Sequence, residues 1–252
     1  MKLNNIYNGD CLGLMSDIPD RSVNMILCDL PFGCTVQKWD KIIDFDKLWE
    51  HYERIRKPDC SVLLFGNEPF SSKLRMSNIN NFRYDWVWHK SKPSGMVLAK
   101  TQPMRNHEII SCFYKGNFYP IKEERVGFTE KSKKRFNSGE SLGSYKNHGD
   151  STSGVTKQDK VKKIESLRNP TTIKAFGSLV NRNGKNLHPT QKPIDLLEYL
   201  IKTYTKKGEL VLDNTCGSGS TCLAARNVDR QFIGIEKDEN YFDIAKKRLD
   251  LN

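Results

Sequence analysis

The chain has 252 residues, 41 Lys and Arg against 30 Asp and Glu, and a formal net charge of +11. That length suits one large domain, or one domain with a sizeable insertion, and the positive excess points to an anionic partner, most simply nucleic acid. No apolar run approaches the ~20 residues of a membrane helix, and seven scattered cysteines without a C-x-x-C pair argue against a zinc site or a disulfide framework.

The opening MKLNNIYNGD has no apolar signal region, so the expectation is a soluble, cytoplasmic protein with reduced thiols, no metal and no membrane contact. Residues 22–28, SVNMILC, predict a short buried strand that ends at Asp29. In 44–57, Phe45, Leu48, Trp49, Tyr52 and Ile55 recur at helical spacing and predict an amphipathic helix. SVLLF (61–65) predicts a strand and PFSSKLRMS (69–77) a helix. FRYDWVWHK (82–90) alternates aromatic and polar residues as a strand does, and HEIISCFYKG (107–116) predicts another.

Composition then shifts. Between Lys115 and Lys185 there are 16 Lys and Arg but seven Asp and Glu, so this segment holds +9 of the chain's +11. It is rich in Ser, Asn and Gly and has little apolar periodicity. Core-like patterning resumes with a helix over 193–205, opened by Pro193. Strand 209–213, helix 220–228, strand 231–236 and helix 240–249 follow. Strands alternating with helices predict a parallel α/β sheet with helices on both faces. The expected division is 1–114, a basic insertion at 115–187, and 188–252.

The stretch ELVLDNTCGSGSTCLAARNVDRQFIGIE (209–236) carries the most chemistry. A strand ends at Asp213, a turn with Gly217 and Gly219 follows, and the next strand ends at Glu236, 23 residues beyond Asp213. Glycines let a ligand approach the main chain. A carboxylate at the second strand end suits the two hydroxyls of a ribose. The G-x-G is not a full dinucleotide fingerprint, so these residues fit any adenosine-containing cofactor. Asp213 beside the turn favours one that brings an ammonium group, such as S-adenosylmethionine, over one that brings a pyrophosphate.

Asp29-Leu30-Pro31-Phe32 after one strand, D-x-x-x-G-S-G-S-T after another, and HPTQKP (188–193) between them together resemble the amino-group DNA methyltransferases. The order, with the catalytic motif before the cofactor loop, resembles the permuted class called beta. The likeness covers roughly residues 5–114 and 186–250. It implies a Rossmann-like S-adenosylmethionine-dependent methyltransferase sheet with an inserted target-recognition region. It also implies S-adenosylmethionine as cofactor and double-stranded DNA as partner. On this resemblance Asp10 and Cys11 of NGDC lie at the cofactor, with Asp10 at the adenine ring. His188, Thr190, Gln191 and Lys192 of HPTQKP help enclose the methionine end, and Asp213, Cys216, Gly217, Gly219 and Glu236 form the cofactor loop and its ribose carboxylate.

The same resemblance makes Asp29, Leu30, Pro31 and Phe32 the catalytic motif. Asp29 would accept one hydrogen of the target amino group and the carbonyl of Leu30 the other. Phe32 would stack on the extruded base, and Trp88 is the candidate second stacking partner. Leu30 stands where the family usually has Pro, but its role is that of a main-chain carbonyl. Thr215 stands where Phe is common. In the basic insertion Lys131, Lys133, Lys134 and Arg135 suit phosphate contacts, and Arg125, Asn137, Asn147, Arg168 and Arg182 are candidates for base reading.

An initial Asp favours adenine N6 in this family. Cytosine N4 is the nearest rival. The others are a catalytically inactive DNA-binding homologue and an RNA or protein methyltransferase with a related motif. Dimerisation is common in the class, but the sequence marks no interface for it. It names no recognition site and no restriction partner.

Overall fold

The structure is a computed structural model that describes residues 1–34, 40–124, 167–177 and 191–251. It contains two compact units, Met1–Tyr119 with Thr171–Asn252, and Pro120–Pro170. The first unit begins with β1 (Asn5–Asn8), α1 (Cys11–Leu14), β2 (Val23–Cys28), α2 (Phe45–Ile55) and β3 (Arg56–Gly66). It continues with α3 (Phe70–Ser77), β4 (Phe82–Ser94) and β5 (Arg105–Phe113). In the second unit β6 (Glu123–Glu124) pairs antiparallel with β7 (Leu167–Arg168). The first unit resumes with β8 (Ile173–Phe176), α4 (Ile194–Tyr204) and β9 (Leu210–Asp213), then α5 (Ser220–Asn227), β10 (Gln231–Glu236) and α6 (Glu239–Arg248).

Its sheet has eight strands in the order β1-β10-β9-β2-β3-β5-β4-β8. All pairings are parallel except those of β5, which runs against both β3 and β4. The sheet is therefore mostly rather than wholly parallel. The reason lies in the connection: ten residues join β4 to β5, too few for the crossover helix that a parallel pair requires.

Successive strand residues face opposite sides. Met25, Leu27, Leu63 and Phe65 join one core with Leu196, Leu197, Leu200, Ala224 and Ala245 of α4, α5 and α6. Ile26, Cys28, Val62 and Leu64 join the other with Leu48, Tyr52, Ile55 and Phe70 of α2 and α3. Helix α2 shows how the sequence sets this up. Asp44 caps it by accepting from the amides of Asp46 and Lys47 at 3.1 and 3.2 Å. Leu48, Trp49, Tyr52 and Ile55 bury the inward stripe, worth roughly 1.5–3 kcal/mol per large side chain.

The predicted strands and helices of the first unit all appear, with shifted ends. The strand at 61–65 extends back to Arg56, the one at 82–90 runs on to Ser94, and Pro193 caps α4 rather than opening it. β1, α1 and β8 are additions. β8 lies within the segment expected to be insertion, yet it pairs with β4, so residues 171–177 belong with the main sheet. Four residues with Ile173 exposed make too short a pattern to read.

Candidate active site

The order of the sheet decides where a site can form. From β9 the chain goes to β10 on one side, and from β2 it goes to β3 on the other. Strands β9 and β2 are neighbours, so the connections diverge between them. In open α/β sheets ligands bind in the crevice at the carboxyl ends of such strands. Asp213 is the final residue of β9, and Asp29 follows the final residue of β2. Both line a cavity of about 620 Å³, together with Asp10, Cys11, Leu30, Pro31, Phe32, Gln191, Lys192, Cys216, Gly217 and Glu236. Gly219 lies in the turn behind that wall.

The loop from Asp213 to Ser220 is held from several sides. Asp213 accepts from the Thr215 amide at 3.1 Å, and the Cys216 amide donates to the Ile235 carbonyl at 2.9 Å. Glu236 Oε2 accepts from the Gly217 amide at 2.7 Å and Oε1 from the Asp238 amide at 2.8 Å. Gly219 has φ 75°, and a Cβ there would sit 3.1 Å from Ala245 Cβ of α6. Arg248, at the end of α6, donates to the Ser218 carbonyl and the Ser220 hydroxyl at 3.1 and 2.9 Å. Thr215, where the family often has Phe, donates to the Asp29 carbonyl at 3.2 Å and so ties this loop to the catalytic motif.

Below the crevice, Asn214 Oδ1 accepts from the Tyr52 hydroxyl at 2.6 Å and the Cys28 thiol at 2.9 Å. Burial raises the Cys28 thiol well above its ordinary value. That fits a structural role, not a nucleophilic one. Asp40 accepts from the amides of Gly33 and Cys34 at 2.8 and 3.0 Å and braces the turn after Phe32. The Phe32 ring packs on Phe70 with centroids 4.8 Å apart.

The carboxyls have distinct environments. Burial pushes Asp213 up to about 7, against hydrogen bonds from Thr221 and Thr215 that pull it down. Burial also raises Glu236. Asp10 caps α1 through the Leu12 amide at 3.0 Å, and its hydrogen bond with Lys237, also at 3.0 Å, holds it below the usual carboxylate range. Asp29 is raised by burial, although Lys192 acts against the shift.

The sequence places Lys192 at the methionine end of a cofactor. In the structure it lines the same cavity as the glycine loop, and its ammonium rests on Asp29 Oδ2 and lies 3.5 Å from Glu108 Oε2. Lys90 holds the other oxygen of Glu108 at 3.1 Å. Trp88 stands apart from the cavity. It is buried in the core and donates to the Phe176 carbonyl at 3.1 Å. An aromatic strand fills the core here, as such stripes usually do. Arg168 is engaged by Glu123 at 3.0 Å within the second unit. His188, Thr190, Lys131, Lys133, Lys134, Arg135, Arg125, Asn137, Asn147 and Arg182 lie outside the described residues.

Sequence reading missed Glu108, Lys90, Asp40 and Asn214. Glu108 carries one faint signal: it is a lone carboxylate heading the apolar run IISCF. Its register opposite Trp88 is invisible without the pairing of β4 and β5.

A family model for N6/N4 methyltransferases, described as DNA methylase, matches residues 23–247. The chain belongs to the DNA methylase family. Among curated relatives, the type II methyltransferase M.HinfI of Haemophilus influenzae is 28% identical over 98% of this chain and 68% of its own length. M2.MboI of Moraxella bovis is 28% identical over 97% of this chain and 86% of its own. Among solved structures, the M1.HpyAVI–SAM complex has TM-score 0.63 and 24% identity, covering 98% of this chain and 99% of that one. The cytosine-N4-specific PvuII DNA methyltransferase has TM-score 0.64 and 16% identity, covering 97% and 85%. At those identities the two structures speak to the fold.

The cavity of this methylase fits S-adenosylmethionine, the cofactor of the family. Glu236 presents a carboxylate to the cavity at the end of β10. Asp213 is a buried carboxyl that lines the same cavity at the end of β9. The left-handed turn at Gly219 leaves no room for a side chain.

Proposed function

We propose that this methylase transfers a methyl group from S-adenosylmethionine to the N6 amino group of adenine in double-stranded DNA, with the base turned out of the duplex. The carrying observation is Asp29. Its carboxylate lies in the same cavity as the glycine loop, and its Oδ1 is buried without a hydrogen-bond partner among the described residues.

An exocyclic amino nitrogen is a poor nucleophile because its lone pair spreads into the ring. Asp29 accepts one amino hydrogen and the Leu30 carbonyl the other, which localises the lone pair on nitrogen and aims it. Phe32, backed by Phe70, offers its free side to the base. Unstacking the base costs a few kcal/mol, which the pocket contacts must offset. The cofactor supplies an electrophilic methyl group on its sulfonium. Asp213 holds its amino group, Glu236 its ribose and Asp10 its adenine.

The basic segment, with Lys131, Lys133, Lys134 and Arg135, serves as the target-recognition region and contacts phosphates. The chain acts as a modification enzyme of the type II kind, like the curated relatives of that name, and works in the cytoplasm. Cytosine N4 is the second reading, because the PvuII enzyme named for that specificity shares the fold.

The test is incubation with unmethylated DNA and S-adenosylmethionine, digestion to nucleosides and mass spectrometry. N6-methyladenine nucleoside is expected. N4-methylcytosine would keep the mechanism and change the base. Cofactor binding with no methylated nucleoside would leave an inactive DNA-binding homologue.

A further inference from the structure

The contact between Lys192 and Asp29 competes with Asp29's role as an acceptor for the target amino group. Oδ2 is taken by the lysine ammonium, and Oδ1 is shielded, with no hydrogen-bond partner among the described residues. An incoming amino group must therefore share Asp29 with the lysine or displace it. A second seat for the lysine lies beside the first. Glu108 Oε2 is buried and stands 3.5 Å from Lys192 Nζ, already within ion-pair reach but too long for a good hydrogen bond. Its other oxygen is anchored by Lys90 at 3.1 Å. The Phe65 ring, 5.1 Å from Nζ, lines the space where the ammonium sits.

We propose that Lys192 is a two-seat positioning residue, resting on Asp29 when the base pocket is empty and moving onto Glu108 when the target amino group takes its place on Asp29. This deepens the amino-methyltransferase reading and rests on it. Through the move the lysine stays beside a carboxylate, and Asp29 exchanges an ion pair for a neutral hydrogen-bond donor. In the resting state Lys192 neutralises Asp29. In the loaded state it completes the ion pair with Glu108, and Asp29 receives a hydrogen-bond donor instead. A buried charge left without a partner is costly, so a shift between two prepared carboxylates is far easier than release of the lysine into an empty cavity.

The groups facing Asp29 are Lys192, Glu108, Asp40 and Asp213. Three are carboxyls, and Lys192 supplies the one positive charge in that set. Burial already raises the Asp29 carboxyl, and Lys192 opposes that rise. Removing the lysine charge therefore shifts Asp29 further up. A rate that needs ionised Asp29 then requires a higher pH.

The experiment compares wild type, Glu108→Gln and Lys192→Met as full chains, with unmethylated genomic DNA and radiolabelled S-adenosylmethionine. It measures single-turnover rate against pH and cofactor affinity by calorimetry. Glu108→Gln removes the second seat and is expected to slow transfer by about tenfold or more at unchanged cofactor affinity. Lys192→Met is expected to move the acid limb of the rate up by about one pH unit and to recover most of the rate at high pH. Equal loss of cofactor affinity and rate in both variants, with no alkaline recovery, would mean a purely structural role and would overturn the proposal. So would wild-type behaviour of Glu108→Gln, which keeps the proposal open to refutation if Lys192→Met does not fold. Wild-type protein that binds cofactor but transfers nothing would overturn the functional reading, and this inference with it.

Discussion

Asp29 and Asp213 sit at the ends of adjacent strands and face one cavity, but their chemistry separates them. On the proposed reading, replacing Asp29 by Ala removes an acceptor that matters only when the amino group reacts. Methyl transfer is expected to fall by about a thousandfold or more, with cofactor affinity changed by no more than a few-fold, as read by label incorporation and calorimetry. On the proposed reading Asp213 acts at binding. Its carboxyl is pushed up to about 7 by burial, so the stability it contributes is full below its ordinary value and is lost as pH rises through about 7. An ammonium ligand favours its ionised form, and an α-amino group keeps its proton to about pH 7.7. Cofactor affinity is therefore expected to rise between about pH 5.5 and 7.5. Asp213→Asn should flatten that slope in calorimetric titrations.

At the scale of elements, the cofactor loop depends on α6 as much as on its own residues. Gly219→Ala would force a side chain into the left-handed region and against Ala245, at a cost of about 1–2 kcal/mol. A melting temperature lower by a few degrees and weaker cofactor binding are expected in thermal scans with and without ligand. Tyr52→Phe would remove the 2.6 Å bond that fixes Asn214 from α2, with an expected loss of about 1–2 kcal/mol in urea denaturation. Elements with a clear period, such as α2 and β2, are legible in the sequence because each buries one face against the sheet. Asp29, Asp213, Gly217 and Glu236 are legible because strand ends and glycine turns announce themselves locally. Glu108 is not, since its meaning comes from Lys192, far along the chain. Trp88 misleads because alternating aromatics look alike whether they line a pocket or fill a core. The reversal of β5 is written in the shortness of its connection, a signal that the alternation of strands and helices masks.

For the molecule as a whole, the dominant fact is charge. The segment from Lys115 to Lys185 holds +9 of the +11, and an excess of that size should make association with DNA strongly dependent on salt. Alanine at Lys131, Lys133, Lys134 and Arg135 is expected to weaken binding and to reduce the slope of log affinity against log salt by about one unit for each phosphate no longer neutralised. Fluorescence anisotropy over a salt series reads both quantities, and an unchanged slope would remove those residues from the interface.

The sheet order also bears on how the protein is made. Among the described residues β1 pairs with β10 alone, and β2 has β9 on one side, so these early strands wait for partners translated some two hundred residues later. Until residues 210–236 leave the ribosome, β1 has no neighbour and β2 presents a bare edge of the kind that invites aggregation. The nascent chain thus carries Asp29 throughout synthesis, but the crevice opposite it closes only when β9 slides into the gap. Modification activity should appear abruptly, only once residues 210–236 have joined the sheet.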